Sequence, residues 1–263
     1  MKKLIIFLIF CFIILIIGSN KQNSLDTFLK KNNLSYEDVY PYLNYSGFSL
    51  DDYFEIETIR EKNNYTHLMA LNKFKYQKES PAIFANTNLI LVNKLFYVDK
   101  TYIPEGLVNP KIYGANVANK DVLLPKEVVF SFLEMVNDLN LYNLYIFSGY
   151  RTYEKQVALY NYYKDDNYSA KPGFSEHHTG LAIDISTLDT GLTDFFASTP
   201  EYQILIKNCY KYGFILRYPE GKESETGYFY EPWHFRYVGI KHATYIMKNN
   251  LTLERYLFEN FEF

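Results

Sequence analysis

Two short segments in the last third of the chain contain residue types that can bind a catalytic metal. The first holds His177 and Asp184, and the second holds Glu231 and His234. Catalytic zinc sites use three protein ligands of these types and leave a fourth position for water, whose proton a nearby base accepts. Two imidazoles and a carboxylate can therefore complete a zinc shell, with a second carboxylate beside it.

The local sequence predicts how these residues come together. Leu181–Ser186 is rich in apolar and β-branched residues and predicts a strand, and Gly180 before it suits a tight entry or a close backbone approach. His177 would lie in the turn and Asp184 within the strand. Phe235–Val238 predicts another strand directly after the second segment. A sheet surface could then hold all the candidate ligands at one metal.

A third segment completes a pattern that resembles a known family. Ser148–Thr152 has the sequence SGYRT, and Gln156 follows five residues after its arginine. Together with S-x-H-x-x-G-x-A-x-D and E-x-W-H, this resembles the VanY-type zinc D-alanyl-D-alanine carboxypeptidases. They belong with the lysostaphin-like peptidases, the D-Ala-D-Ala peptidases and the hedgehog amino-terminal domain. The resemblance extends from about Asn86 to about Asn249.

The resemblance implies a role for each matching residue. It implies that His177, Asp184 and His234 bind one zinc ion per chain and that Glu231 is the general base. Arg151 would be both catalytic and substrate-binding, and Gln156 and Ser175 would bind the substrate.

Arginine chemistry leaves two placements open for Arg151. Its planar, permanently charged fork matches the terminal carboxylate that a carboxypeptidase must bind. Placed nearer the scissile carbonyl, the same group would stabilise the developing oxyanion. The sequence does not decide between them.

Three further residues near the motifs are weaker candidates. His178 follows His177, and because neighbours on an extended segment point to opposite faces, we interpret it as structural or as a pocket wall. Asp189 and Asp194 follow the predicted metal strand and are candidate hydrogen-bond partners for a ligand imidazole.

The predicted function is removal of the terminal D-alanine from peptidoglycan stem peptides ending in D-Ala-D-Ala. The alternatives are an L,D-carboxypeptidase, a cell-wall endopeptidase, and a zinc-containing module that binds the wall without catalysis. Glu231 argues against the last of these, since a structural zinc site is closed by four protein ligands and needs no base.

The amino terminus predicts export. Two lysines precede the fourteen apolar residues Leu4–Ile17, which resembles a secretory signal or a short uncleaved anchor. Fourteen residues are fewer than the roughly 20 that span a bilayer comfortably. We expect the rest of the chain to lie outside the cytoplasm, either secreted or anchored to the outer face of the cytoplasmic membrane.

Composition agrees with an exported globular enzyme. Without residues 1–20 the chain has 25 basic and 30 acidic side chains, and a net negative charge argues against a nucleic-acid partner. Cys209 is the one cysteine beyond the apolar run, so we predict a buried small hydrophobe rather than a disulfide. The oligomeric state is not indicated.

The predicted organisation is an α+β fold with a mostly antiparallel sheet flanked by helices, similar to the D-Ala-D-Ala peptidase and hedgehog zinc fold. Residues 1–20 form the signal or anchor, 21–85 a small helical appendage or spacer, and 86–263 the zinc carboxypeptidase domain. The elements predicted in this domain, besides the two strands at the motifs, are strands at 89–92, 144–147 and 214–216 and helices at 125–139, 152–163 and 203–212.

Overall fold

The computed structural model describes residues 79–165 and 169–261, together with Lys30. Residues 79–262 form one compact unit. The apolar run at 4–17 and nearly all of the predicted appendage at 21–85 lie outside the described residues, so that division of the chain stays a prediction. Within the described residues, no helix combines the length and the apolar character needed to cross a membrane.

Short strands and helices alternate through the described part of the chain. The strands are β1 (Ser80–Pro81), β2 (Phe96–Tyr97), β3 (Leu107–Val108), β4 (Leu124–Pro125), β5 (Tyr145–Ser148), β6 (Ala182–Ser186), β7 (Phe214–Leu216) and β8 (His234–Tyr237). The helices are α1 (Lys126–Asp138), α2 (Tyr153–Tyr163), α3 (Pro200–Asn208), α4 (Glu223–Thr226), α5 (Ile240–Lys248) and α6 (Leu253–Asn260).

The central sheet has four strands in the order β5-β6-β8-β7, and every neighbouring pair is antiparallel. The pair β3–β4 is also antiparallel, whereas β1–β2 is parallel. With helices packed around these strands, the predicted α+β class with a mostly antiparallel sheet is confirmed.

Helix α1 supplies much of the hydrophobic core. It begins directly after Pro125, whose fixed φ suits a helix start. The 3.6-residue period predicts a core face of Val128, Val129, Phe132, Leu133 and Val136. In the structure Met135 is fully buried with the others of this face, whereas Leu133 is only partly buried against the core. Cys209 is also in this core, and burial raises the pKa of its thiol to about 12. The prediction that it acts as a small hydrophobe is confirmed.

Strand register brings the two motif segments together. Asp184 on β6 is paired with His234 on β8 on one side and with Ser148 on β5 on the other. Directly paired residues on antiparallel strands have Cβ atoms only about 4.5–5.5 Å apart. The three segments singled out in the sequence therefore meet at one point of the sheet because of hydrogen-bonded pairing alone.

Two glycines of the motifs allow other segments to approach closely. Gly180 has φ +75°, and a Cβ atom there would lie 2.9 Å from Pro104 Cγ. A Cβ atom on Gly149 would lie 2.5 Å from the carbonyl oxygen of Leu123. Both positions exclude a side chain, so the prediction of a close approach at Gly180 is confirmed.

Some predicted elements differ from the structure. Residues 89–92 are buried, but Leu91 makes only an isolated bridge with Ile83 and no strand forms there, so the predicted strand is wrong. Short apolar runs indicate burial more reliably than strand geometry. The helix predicted at 203–212 begins earlier, at Pro200, because the Thr199 side chain caps it, and its last turn, Cys209–Tyr212, is a 3-10 helix.

Candidate active site

The structure brings His177, Asp184 and His234 into one buried cluster. One ligand atom from each lies within 4.8 Å of the others. His177 Nε2 is 3.2 Å from Asp184 Oδ2, and His234 Nδ1 is 3.1 Å from Asp184 Oδ1. Ligand atoms bound at about 2.0–2.2 Å to a tetrahedral zinc lie roughly 3.4 Å apart, so the three side chains are close enough together to share one metal ion.

His177 is oriented by the backbone of the β5–α2 connection. It lies in the 3-10 helix Glu176–Thr179, which Gly180 ends in a left-handed conformation. Its Nδ1 is 2.8 Å from the carbonyl oxygen of Gly149. A carbonyl can only accept, so Nδ1 carries the proton and Nε2 presents a lone pair towards Asp184.

His234 is held by rings on two sides and by carboxylates around its nitrogens. Tyr218 lies against it with ring centroids 4.7 Å apart and planes at 34°, and His177 meets it edge-on at 5.0 Å. Its Nε2 is 3.5 Å from Glu176 Oε2. Its Nδ1 is therefore the atom that faces Asp184 and the candidate metal position.

The electrostatics of the cluster favour a cation. Burial lowers the pKa of His177, which favours the neutral imidazole that a metal requires. Burial also opposes ionisation of Asp184, but the two histidines hold the pKa of its carboxyl well below the ordinary value. His234 would be neutral by burial alone, yet its contacts with Asp184 and Glu176 raise its pKa to about 9.

The donor set fits a metal ion on independent grounds. Asp184 Oδ1 is buried and makes no hydrogen bond within the protein, and the polar atom facing it is His234 Nδ1 at 3.1 Å. A buried carboxylate oxygen that accepts no hydrogen bond is costly. Two imidazole nitrogens and this oxygen are ligands that zinc prefers.

Glu231 lies beside the cluster with its carboxylate towards His234. Its Oε2 is 3.5 Å from His234 Nδ1, and its side chain is 28% exposed. The turn that carries it is fixed by hydrogen bonds from Glu231 N to Tyr218 O and from His234 N to Glu231 O. Burial raises the pKa of Glu231 to about 7, a value suited to a group that accepts and returns a proton near neutrality.

Arg151 is the third charged group at the site. Its backbone N–H donates to His177 O, and its guanidinium donates to Gln156 Oε1 at 2.9 Å and to Ser148 Oγ at 3.2 Å. Burial lowers the pKa of Arg151, while the charges of Asp184 and Glu231 oppose that effect. Two of its five N–H donors are used in these side-chain contacts, which leaves donors for a substrate.

The two predicted substrate-binding residues occupy different positions. Gln156 is 1% exposed, and its amide nitrogen donates to Ser169 Oγ and Ala170 O while its oxygen accepts from Arg151. In the structure its hydrogen bonds hold Arg151 in place, and its predicted role in substrate binding stays a prediction. Ser175 is buried at the start of the 3-10 helix that carries His177.

His178 lies outside the metal cluster, as predicted. Its Nε2 is 3.1 Å from Tyr102 O, and the rings of Tyr102, Tyr150 and Tyr153 surround it at 6.1–6.3 Å. These contacts make it a packing residue behind the site.

The residues that contact the outer nitrogens of the two ligand histidines were not predicted correctly from the sequence. The outer partners of the two ligand imidazoles are Gly149 O and Glu176, not Asp189 or Asp194. No residue type in the sequence indicates which backbone carbonyl will contact a histidine. Glu176 could have been predicted, because it is an acidic residue that directly precedes a predicted ligand in an otherwise buried segment.

An antiparallel sheet that holds Asp184 and His234, with His177 on the adjoining 3-10 helix and a second carboxylate beside them, defines the site of a metal-dependent hydrolase. Residues 121–240 match the family model VanY: D-alanyl-D-alanine carboxypeptidase. The bifunctional D-Ala-D-Ala dipeptidase and D-Ala-D-Ala carboxypeptidase VanXYC of Enterococcus gallinarum is 36% identical over 180 residues, which are 64% of this chain and 92% of that protein. The chain belongs to the VanY family of D-alanyl-D-alanine carboxypeptidases.

Two further relatives define the extent of the similarity. A D-alanyl-D-alanine carboxypeptidase of Enterococcus faecium is 36% identical over 178 residues, 65% of this chain, and the chain spans only 57% of that protein's length. A mutant of the vancomycin-resistance D,D-pentapeptidase VanY from a VanB-type cassette, solved with Zn(II), is 34% identical with a TM-score of 0.51. That match covers 65% of this chain and 98% of the other.

Proposed function

We propose that this protein is a zinc-dependent D-alanyl-D-alanine carboxypeptidase that removes the terminal D-alanine from peptidoglycan stem peptides. The cluster of His177, Asp184 and His234, with Glu231 3.5 Å from His234, carries the proposal. The VanXYC relative acts on D-Ala-D-Ala, and the VanY relative was solved with Zn(II). We propose one zinc ion per chain at this cluster.

Each residue then has a distinct task. His177 Nε2, His234 Nδ1 and one Asp184 oxygen hold the ion. Zinc, when bound, supplies a Lewis acid and makes water a nucleophile near neutral pH. Glu231 accepts the proton of the attacking water and returns it to the departing D-alanine amine.

The proposed location is outside the cytoplasm. The support is the basic start and the apolar run at 4–17, which resemble a secretory signal or anchor. If the run is retained, the enzyme is anchored to the outer face of the cytoplasmic membrane, where its proposed substrate is exposed.

Digestion of two defined stem peptides tests the activity. The purified protein, loaded with zinc, is incubated with a pentapeptide stem ending in D-Ala-D-Ala and with the tetrapeptide stem, and products are identified by mass. We expect loss of one alanine from the pentapeptide and no cleavage of the tetrapeptide. Cleavage of the tetrapeptide instead would identify an L,D-carboxypeptidase, and internal cleavage an endopeptidase. No cleavage of either peptide by zinc-loaded protein would favour the non-catalytic wall-binding module.

A second experiment determines which group Arg151 binds. If its guanidinium binds the terminal carboxylate, amidating that carboxylate should lower kcat/KM about ten- to a hundredfold, since a charge-assisted hydrogen bond contributes roughly 1.5–3 kcal/mol. Arg151→Ala should lose most of its activity on the acid and should distinguish acid from amide far less.

Lys155→Ala provides the matched control, because Lys155 is an exposed cation on the neighbouring helix α2. It should keep the wild-type preference for the acid. Equal cleavage of acid and amide by the wild type would instead place Arg151 at the oxyanion.

A further inference from the structure

Behind the metal cluster lies a second charged group whose members are all fully buried. The Glu176 carboxylate accepts hydrogen bonds at Oε1 from Arg217 Nε at 2.6 Å and from Arg236 Nη1 at 2.7 Å. The side chains of all three residues are 0% exposed. Burying charged groups costs free energy unless ion pairs and hydrogen bonds offset the loss of water. We therefore asked which function this buried group serves.

The two arginines are themselves fixed by other parts of the fold. Arg217 binds both carboxylate oxygens of Glu254 on α6 through its two terminal nitrogens. Arg236 donates to the carbonyl oxygens of Asn88, Ile90 and Tyr237. These contacts leave the guanidinium groups little freedom to follow a displaced carboxylate.

Both arginines bind the same oxygen of Glu176, and the other oxygen remains for His234. Glu176 Oε2 is buried, makes no hydrogen bond and lies 3.5 Å from His234 Nε2, which is also buried and makes none. An ionised carboxylate can only accept, so a hydrogen bond across this gap requires the proton on Nε2. The proton of the neutral ring is then absent from Nδ1, the atom that faces Asp184.

We propose that Glu176 is a positioning residue that holds His234 in the Nε2–H tautomer, so that Nδ1 is presented as the metal ligand. The inference rests on the proposed metal role of His234. Arg217 and Arg236 hold one carboxylate oxygen of Glu176, and the other oxygen is directed at the His234 ring. Glu254, through Arg217, ties this arrangement to the last helix of the described chain.

Glu176→Gln tests the proposal through zinc affinity, measured by competition with a chromogenic chelator. The two arginine N–H groups should bind the amide oxygen, so that the amide NH₂ group faces His234 Nε2. That group donates and favours a lone pair on Nε2, which moves the proton onto Nδ1. Loss of such outer partners typically weakens metal binding 10–100-fold, and we expect an effect of that size.

Glu254→Gln is the matched control. It removes one negative charge from the same buried group and the same arginine, but it does not touch His234. It should lower stability, measured by thermal unfolding, and leave zinc affinity close to the wild-type value. Equal weakening by both substitutions, or wild-type affinity in Glu176→Gln, would overturn the proposal.

A measurement on the wild type keeps the test decisive if Glu176→Gln does not fold. Ring ¹⁵N chemical shifts of the zinc-loaded protein, with the His234 ring assigned by through-bond correlation to its own backbone resonances, should show a protonated Nε2 and a metal-bound Nδ1. Metal binding through Nε2 would refute the role of Glu176. Failure of the wild type to bind zinc at all would instead contradict the proposed function, which separates the two failures.

Discussion

Replacing Glu231 by glutamine should lower kcat by about 10²–10⁴-fold without loss of zinc. The amide has nearly the same size as the carboxylate but cannot accept the proton of the attacking water. The position beside His234 and the pKa of about 7 both suit that proton transfer. The effect should appear mainly in kcat, because the substrate contacts of the site are retained.

Stopped assays of D-alanine release, with metal analysis of the same samples, measure both quantities. Glu220→Gln is the control, since Glu220 is an exposed carboxylate on the connection between β7 and α4 and should behave as the wild type. If Glu231→Gln retained more than about a tenth of the wild-type kcat, the general-base role would have to pass to another group.

The sequence predicted the metal cluster because its ligands lie on regular elements. Asp184 and His234 belong to strands with strong β propensity, and antiparallel register then pairs them directly. His177 enters through a turn that Gly180 permits. Residue types, a period-2 pattern and one glycine were sufficient to predict that these three residues lie together. The roles assigned to them stay predictions.

The outer contacts could not be predicted in the same way. The partner of His177 is the carbonyl of Gly149, and every residue has a carbonyl, so no residue type marks it. Arg217 directly follows β7 and Arg236 lies on β8, so the two meet at Glu176 only after the sheet has formed. The sequence contains a hint in Arg236, which lies two positions after His234 and so shares its face of β8.

The secondary-structure predictions were wrong where the burial of a segment does not determine its backbone conformation. Residues 89–92 are buried because the core covers them, but their backbone makes only the isolated bridge between Leu91 and Ile83 and no continuous ladder. The start of α3 was missed because the capping residue, Thr199, precedes the apolar pattern that was used to find the helix. The hydrogen bonds of the Gln156 amide to Arg151, Ser169 and Ala170 follow no spacing rule and were not predicted, while its role in substrate binding stays a prediction.

Replacing either ligand histidine by alanine should abolish metal binding and activity together. His177→Ala and His234→Ala each leave two of the three atoms in the cluster. Zinc content measured after dialysis should fall from about one ion per chain to near zero, because a catalytic site holds its ion through three protein ligands. The D-alanine release assay should show no turnover above background.

His178→Ala distinguishes loss of a ligand from general damage to the site. His178 is as buried as its neighbour and packs against Tyr102, but it lies outside the cluster. Its replacement should lower the unfolding temperature and preserve zinc content. Since a bound ion stabilises the folded state by mass action, a chelator should lower the unfolding temperature of the wild type and of His178→Ala but not of His177→Ala. Unchanged zinc in both ligand variants, or equal loss in His178→Ala, would contradict the assignment of the metal site.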